Sequence, residues 1–359
     1  FATPKGLFPS RPSAVLEGNG TLGWSLAALG DVNADGKGDF AAGAVNGDGE
    51  NVSLSGTVTI YRSGDKPQIL EGENALDRFG YVLASGDLNG DGKSDLIVGS
   101  PLHSPSPQLY QQGAVYVYFG PSYVSSIKIS SNAANSGIGF SLATGDINGD
   151  GIDDLLMGAT GKVIGYYGGD TFPSESPALV INNSDSYFGR TIAVLWDLDQ
   201  DGYNELAVGA YQAVVGGVTD AGRLFIVKGS GGFQERIVNA NDPASEDLLA
   251  RIDGELNCGR FASAILPIKD VKWGNVLAVS AVHADGSPWP MTGKIFLFTE
   301  GDLAAGASVD SVTAIPGEAK DMHLGTFLAQ VKGKSGNWLA AGAPTEKTNT
   351  GRVRLFELP

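Results

Sequence analysis

Short runs of alternating apolar and polar residues recur along the chain, and each run begins at a glycine. Gly56–Tyr61 reads Gly-Thr-Val-Thr-Ile-Tyr and Gly113–Tyr118 reads Gly-Ala-Val-Tyr-Val-Tyr, and similar runs begin at Gly222, Gly293 and Gly351. A period of two, with β-branched and aromatic residues, predicts β-strands. The longest apolar runs have only the length of a strand, so we expect no membrane-spanning segment.

These strands belong to a longer cassette of roughly 60 residues, a period typical of propellers. Each cassette opens on glycine beside an aromatic residue, passes through a polar segment, and closes on an apolar run that ends in small residues. The six openings are Gly23-Trp24, Phe79-Gly80, Gly139-Phe140, Phe188-Gly189, Gly259-Arg260-Phe261 and Gly325-Thr326-Phe327. Because four short strands fit in each cassette, we predict an all-β fold: a closed six-bladed β-propeller of four-stranded blades, forming one domain over residues 1–359.

The two ends of the chain predict how the ring closes. Residues 13–18 have the pattern of a fourth strand with no blade before it, and the chain stops after a third strand at Leu355–Pro359. We therefore expect the N-terminal strand to complete the last blade, which would remove the free edges of that sheet.

In four cassettes the polar segment has the spacing of a calcium-binding loop. Side-chain oxygens stand at positions one, three, five and nine, glycine stands at position six, and position seven offers its backbone carbonyl. The sequence predicts four structural Ca²⁺ ions. The predicted ligands are Asp31, Asn33, Asp35, Lys37 and Asp39; Asp87, Asn89, Asp91, Lys93 and Asp95; Asp146, Asn148, Asp150, Ile152 and Asp154; and Asp197, Asp199, Asp201, Tyr203 and Glu205.

Bound calcium ions would change the net charge of the protein. The formal net charge is −16, and four Ca²⁺ ions would halve it. The remaining acidity is that of an ordinary surface. Nucleic acid and anionic membranes are not expected as partners, because both favour basic proteins.

The connections at the opposite end of the blades, which we call the loop face, contain the unusual side chains. They join second to third strands and fourth strands to the next blade. His103, His283 and His323 fall there, together with Tyr110, Trp289 and Met291. Since a solvated loop has no need of Trp and Met, we predict an apolar ligand-binding wall. Trp289 could equally cap the end of a blade.

Two arginines follow opening steps where other cassettes have an aromatic residue. Arg190 and Arg260 stand where we align Trp24, Tyr81 and Phe140. First strands line the channel of a propeller, so these guanidinium groups are predicted at its mouth. They would bind a carboxylate or carbonyl oxygen there, or form an ion pair with a nearby aspartate.

The single cysteine, Cys258, excludes an internal disulfide. Aligned by cassette, it takes the place of Phe79 and Phe188, which predicts a small buried hydrophobic side chain rather than a nucleophile.

Three acceptor sequons, at Asn19, Asn51 and Asn182, fall in predicted loops. With a first residue that has the character of a processed terminus, they predict a secreted glycoprotein.

The cassettes resemble the FG-GAP repeats of integrin α-subunit propellers and of glycosylphosphatidylinositol-specific phospholipase D. That resemblance covers nearly the whole chain and implies a calcium-binding propeller. It leaves open a non-catalytic recognition role, with a glycan or a protein as partner.

In architecture and length the chain is also similar to the fungal secreted hetero-Diels–Alderases. That resemblance implies a pericyclase of secondary metabolism, which joins an ortho-quinone methide to a polyene terpene. Its small hydrophobic substrates would lie in one asymmetric pocket. Arg190 or Arg260 would hold the substrate oxygen, and His283 or His103 would move a proton. Trp289, Met291, Tyr110 and His323 would line the site.

Overall fold

The computed structural model places six β-sheets in a ring. It describes residues 16–18, 20–231, 236–239, 241–242, 245–255, 259–270, 274–285, 291–319, 321–333, 336–344 and 352–358. Consecutive strands pair in antiparallel fashion within each sheet, and the first strands of successive blades contact one another from blade one to blade six. The predicted six-bladed β-propeller is confirmed.

The first three blades follow the cassette order, with the first strand innermost. Blade one has β1 (Ser25–Gly30), β2 (Asp39–Ala44), β3 (Thr57–Tyr61) and β4 (Gln68–Glu71); blade two has β5 (Val82–Gly86), β6 (Asp95–Ser100), β7 (Ala114–Tyr118) and β8 (Ser126–Ser130); blade three has β9 (Ser141–Gly145), β10 (Asp154–Ala159), β11 (Lys162–Tyr166) and β12 (Leu179–Asn182).

The last three blades are less regular. Blade four has β13 (Phe188–Val194), β14 (Leu206–Ala210), β15 (Arg223–Val227) and β17 (Leu248–Asp253), with β16 (Arg236–Asn239) inserted; blade five has β18 (Phe261–Asp270), β19 (Gly274–Ala281), β20 (Lys294–Thr299) and β21 (Thr313–Pro316); blade six has β22 (Leu328–Gly333), β23 (Gly336–Ala343) and β24 (Arg352–Glu357). A short helix, α1 (Glu300–Ala304), follows β20, and 3₁₀ turns lie at Pro107–Leu109 and Val309–Ser311.

The hydrophobic core lies between the blades. Every residue of β6, β10 and β14 is buried, as the continuous apolar runs require for strands covered on both faces. Glycine near the end of a second strand lets the next blade approach. A Cβ on Gly158 would lie 1.9 Å from the carbonyl oxygen of Gly189, so these small residues set the spacing between blades.

Two features of the strand order differ from the prediction. β16 leaves blade four and pairs in parallel with β12, which extends blade three to five strands. In blade six the described residues form three strands, and Leu16–Gly18 is not in a strand. Residues 13–15 lie outside the described residues, so the closing N-terminal strand stays a prediction.

Candidate functional site

The four predicted metal loops connect first and second strands, so they lie together at one end of the ring. In each loop the carboxylate at position one accepts a hydrogen bond from the amide of the glycine at position six. The pairs are Asp31 with Gly36 at 2.8 Å, Asp87 with Gly92 at 2.7 Å, Asp146 with Gly151 at 2.9 Å and Asp197 with Gly202 at 3.0 Å. These glycines all have positive φ, which brings the carboxylates into one concave loop.

The acid at position nine of each loop is buried and accepts a hydrogen bond from the amide at position two. Burial, together with the neighbouring carboxylates, raises the pKa of Asp95 to about 6. Burial likewise raises the pKa of Asp154 and of Glu205 to about 7. Buried carboxylates crowded in this way are stabilised in their ionised form by a bound cation.

The fourth loop shows most directly that the residues fit a metal ion. Ligand oxygens of Asp197, Asp199, Asp201 and Glu205 all lie within 4.8 Å of one another. Oδ1 of Asp199 and Oε1 of Glu205 are buried and have no hydrogen-bond partner. Oδ2 of Asp199 pairs with Nζ of Lys228 at 2.9 Å, but the two oxygens without a donor, beside the other carboxylates, fit a divalent cation such as Ca²⁺. The backbone carbonyls of Lys37, Lys93, Ile152 and Tyr203 remain predicted ligands.

Aromatic side chains from successive blades meet at the opposite end of the first strands. The Trp24 ring centroid is 5.9 Å from that of Tyr81, and Tyr81 meets Phe140 edge-on at 5.7 Å. Tyr187 and Tyr211 are 5.1 Å apart. Arg190 joins the two groups, with its Cζ 3.3 Å from the Phe140 ring centroid and 4.9 Å from that of Tyr187. We call these six residues the mouth cluster.

Arg190 has an unusual electrostatic environment within this cluster. Its guanidinium is held between aromatic faces, and burial lowers the pKa of Arg190. Over the described parts of the chain, no carboxylate lies within 4.0 Å of it. The charge is thus partly desolvated, supported by cation–π contacts with Phe140 and Tyr187 rather than by an anion.

A second group of polar residues continues from the mouth cluster across blades four to six. Arg260 donates from Nη2 to Oδ2 of Asp220 at 3.1 Å. The rings of His283 and His323 lie 5.2 Å apart. Burial lowers the pKa of His283, and the nearby Arg260 and His323 act in the same direction. We call Asp220, Arg260, His283 and His323 the polar arm.

The predicted equivalence of Arg190 and Arg260 is wrong. Phe261 is fully buried and its amide donates to the carbonyl of Ala221 at 3.0 Å, as that of Phe79 donates to Ser55 at 3.1 Å. Phe261 therefore takes the place that we assigned to Cys258, which itself lies outside the described residues. Arg260, with φ of +53°, precedes that phenylalanine instead of following the opening step. Its aspartate partner matches the ion-pair alternative.

His103 is separated from the other two histidines by its burial. It is completely buried in blade two, and its Nδ1 lies 2.5 Å from Oδ2 of Asp77. Asn74 contacts the same carboxylate at 3.1 Å. The buried ring is not open to a ligand on the loop face, and no sequence pattern predicts its pairing with Asp77.

The predicted apolar wall is only partly described. Tyr110 is 55% exposed, and its hydroxyl accepts a hydrogen bond from Gln111 at 3.0 Å. Met291 is 42% exposed, and its carbonyl accepts from the amide of His323 at 3.3 Å, which places it beside the polar arm. Trp289 lies outside the described residues.

The sequons occupy different surroundings. Asn51 is exposed in a turn, as expected for a glycosylation site. Asn182 is the last residue of β12 and pairs with Lys162 on one side and Asn239 on the other. Its predicted position in a loop is wrong. Asn19 lies outside the described residues.

Comparison with known proteins shows which family of repeats the chain contains. A model of the FG-GAP repeat matches residues 79–118, 138–171 and 188–227, which are blades two, three and four. These three blades therefore contain FG-GAP repeats, and with the six-bladed ring they support an FG-GAP β-propeller.

Relatives of the chain include integrin α subunits and a phospholipase. Integrin alpha-5 of Xenopus laevis is 35% identical over 170 residues, covering 43% of this chain and 15% of that protein. Integrin alpha-6 of Homo sapiens is 31% identical over 207 residues, covering 54% and 18%. Phosphatidylinositol-glycan-specific phospholipase D of Homo sapiens is 36% identical over 156 residues, covering 38% and 18%. The matched segments span less than a fifth of each relative.

One solved structure supports the fold alone. The crystal structure of BBS1N in complex with ARL6DN superposes with a TM-score of 0.50 at 11% identity, covering 92% of this chain and 78% of that chain. No helix among the described residues is long and apolar enough to cross a membrane.

Proposed function

We propose that this chain is an extracellular recognition propeller, stabilised by four Ca²⁺ ions, that binds one ligand with an acidic oxygen at the mouth cluster. The observation that carries the proposal is Arg190, a desolvated cation with no carboxylate partner among the described residues. A ligand carboxylate or phenolate would form charge-assisted hydrogen bonds with it. Such bonds are strengthened where water is excluded.

The asymmetry of the site supports a single ligand. Corresponding positions hold Trp24, Tyr81, Phe140 and Arg190 in blades one to four, so no two blades offer the same surface. A ligand recognised by one blade would not be recognised by the next. The aromatic faces favour a ligand that has a planar or apolar part beside its acidic oxygen.

The metal loops support the calcium and extracellular parts of the proposal. Their ligand sets, at the end away from the mouth cluster, are those of structural ions. Loops of this type fill readily at extracellular calcium concentrations, where weak sites remain occupied. The relatives named as integrins and as a phosphatidylinositol-glycan-specific phospholipase D agree with recognition of a partner outside the cell.

A second candidate is the pericyclase, and the polar arm is what favours it. A cycloaddition of an ortho-quinone methide with a polyene alkene requires orientation of both partners rather than a nucleophile. Arg190 would stabilise the developing phenolate oxygen, and His283, whose lowered pKa keeps it neutral at pH 7, would accept a proton.

A comparative binding experiment tests the first candidate. Wild-type protein, Arg190→Gln and the control Arg251→Gln are probed by calorimetry with an acidic peptide, a sialylated glycan and an aromatic carboxylate. Arg251 is an exposed residue of β17. We expect binding of one probe class, weakened only by Arg190→Gln. Equal binding by all three proteins would refute the role of the mouth cluster.

The second candidate requires its own assay. The protein is incubated with a quinone-methide precursor and a humulene-type alcohol, and the adducts are separated by chiral chromatography with mass detection. One stereoisomer formed faster than without protein would establish the pericyclase. A racemic product at the background rate would exclude it for these partners.

A further inference from the structure

The second, third and fourth metal loops are joined to one another by side chains at position eight. Asp153 of the third loop accepts a hydrogen bond from the amide of Asp87 in the second at 3.0 Å. Asn204 of the fourth loop donates to the carbonyl of Asp146 in the third at 2.6 Å. Asp87 and Asp146 each stand at position one, whose carboxylate is a predicted calcium ligand, so each bond fixes a ligand-bearing backbone unit of the preceding loop.

A packing contact accompanies each of these bonds. A Cβ on Gly90, position four of the second loop, would lie 3.0 Å from Cδ1 of Ile152. A Cβ on Gly149 in the third loop would lie 3.3 Å from the Tyr203 ring. Ile152 and Tyr203 occupy position seven, whose backbone carbonyl is a predicted ligand. A shift of that residue would therefore reach the neighbouring loop.

A third contact involves the loops that follow the third strands. The amide of Gly169 donates to the carbonyl of Leu88 at 2.9 Å, and that of Ser230 donates to the carbonyl of Ile147 at 3.1 Å. Leu88 and Ile147 stand at position two of the second and third loops. Blade three thus holds the second loop from two directions, and blade four holds the third loop in the same way.

The first loop lacks such hydrogen bonds. Residues 31–39 and 87–95 are all described, and no hydrogen bond joins them. Asn33 and Lys37 instead contact Ser63, within blade one, at 3.0 and 2.9 Å. Position eight of the second loop is Ser94. Its hydroxyl makes no hydrogen bond to any of the described residues. The molecule therefore contains three chained loops and one separate loop of the same sequence type.

We propose that the second, third and fourth loops bind calcium as one energetically coupled unit, whereas the first loop binds its ion independently. Asp153 and Asn204 are the positioning residues that carry the coupling. The proposal depends on the calcium part of the proposed function. When one chained loop loses its ion, its neighbours lose the packing and hydrogen bonds that hold their own ligands in place, and coupling between sites is reciprocal.

Removing one ion at a time tests this proposal. Calcium is titrated by calorimetry into chelator-treated wild-type protein, Asp35→Ala and Asp201→Ala, with circular dichroism to confirm folding. We expect Asp35→Ala to lose one equivalent and leave the other affinities unchanged. Asp201→Ala should lose one equivalent and weaken the remaining chained sites about fivefold or more. Equal effects of the two substitutions would overturn the coupling.

Variants at position eight isolate the contacts themselves. Asn204→Leu removes the hydrogen bond to Asp146 while keeping the ligands, and Ser94→Ala is the matched control. We expect Asn204→Leu to weaken calcium binding at the third loop. Combined with Asn204→Leu, Asp201→Ala should weaken the remaining chained sites less than it does in the otherwise wild-type protein. An unchanged titration of Asn204→Leu would contradict the proposal. Failure of the wild-type protein to bind calcium would instead refute the metal assignment.

Discussion

The two ends of the ring differ in how far their residues repeat from blade to blade. At the end with the metal loops, all four loops repeat three hydrogen bonds, from the amides at positions six, seven and two to the carboxylates at positions one, five and nine. At the loop face, each blade contributes a different side chain to the mouth cluster and polar arm. Repetition suits a role that every blade shares, which is holding its first and second strands together. Variation suits a single site built once, so we assign stability to the first end and recognition to the second.

Removal of calcium should have the largest effect. Buried carboxylates such as Asp154 and Glu205 lose the charge that balances them, and the chain has no internal disulfide as a substitute. A ligand at 100 times its dissociation constant stabilises a protein by about 2.7 kcal/mol for each site. Thermal unfolding with and without a chelator measures the loss. An unchanged melting temperature would contradict a structural role for the loops.

The stability of the calcium-free protein should depend on pH through the buried acids of the metal loops. The folded-state pKa values of Asp154 and Glu205, at about 7, exceed the ordinary values of 3.8 and 4.5. The folded state therefore binds more protons, so its stability is fully present near pH 4 and falls as the pH rises to about 7.

Calcium should reverse that dependence, because acidification then displaces the ion. Denaturant unfolding in chelator and in calcium, between pH 4 and 8, compares the two slopes. Parallel curves would show that the position-nine acids do not hold calcium.

Arg190→Gln should affect the opposite end alone. A hydrogen bond to a charged group contributes about 1.5–3 kcal/mol, which corresponds to roughly ten- to 150-fold in the dissociation constant. Calorimetry with the probe bound by the wild-type protein measures this loss, and Arg251→Gln serves as the control. Calcium-dependent unfolding should be unchanged. A large loss of stability without a loss of binding would mean that Arg190 is only a structural residue.

Phe140→Leu should have the smallest effect. It keeps an apolar side chain but removes the ring under the Arg190 guanidinium, and a cation–π contact of this kind is worth about 0.5–2 kcal/mol. We expect a loss of ligand affinity smaller than that of Arg190→Gln, measured in the same titration. Equal losses would show that the ring contacts the ligand itself.

The difference between the two ends also explains which structural features the sequence predicts. The shared hydrogen bonds of the metal loops follow from the sequence because their residues lie within nine positions, and local spacing determines local geometry. The contact of Arg190 with Phe140 was not predicted, because it joins two blades. The frame around Phe261 was misread because Gly259 offers an alternative opening glycine. β16 escaped detection because its parallel partner, β12, belongs to the preceding blade.

A crystal structure with calcium and with the ligand that the binding experiment identifies is the most direct test. It shows whether calcium and the ligand bind at opposite ends of the ring. We predict four calcium ions with complete ligand shells at one end of the ring, and a ligand oxygen bonded to Arg190 at the other. A ligand that coordinates one of the calcium ions, or that leaves Arg190 without a contact, would contradict it.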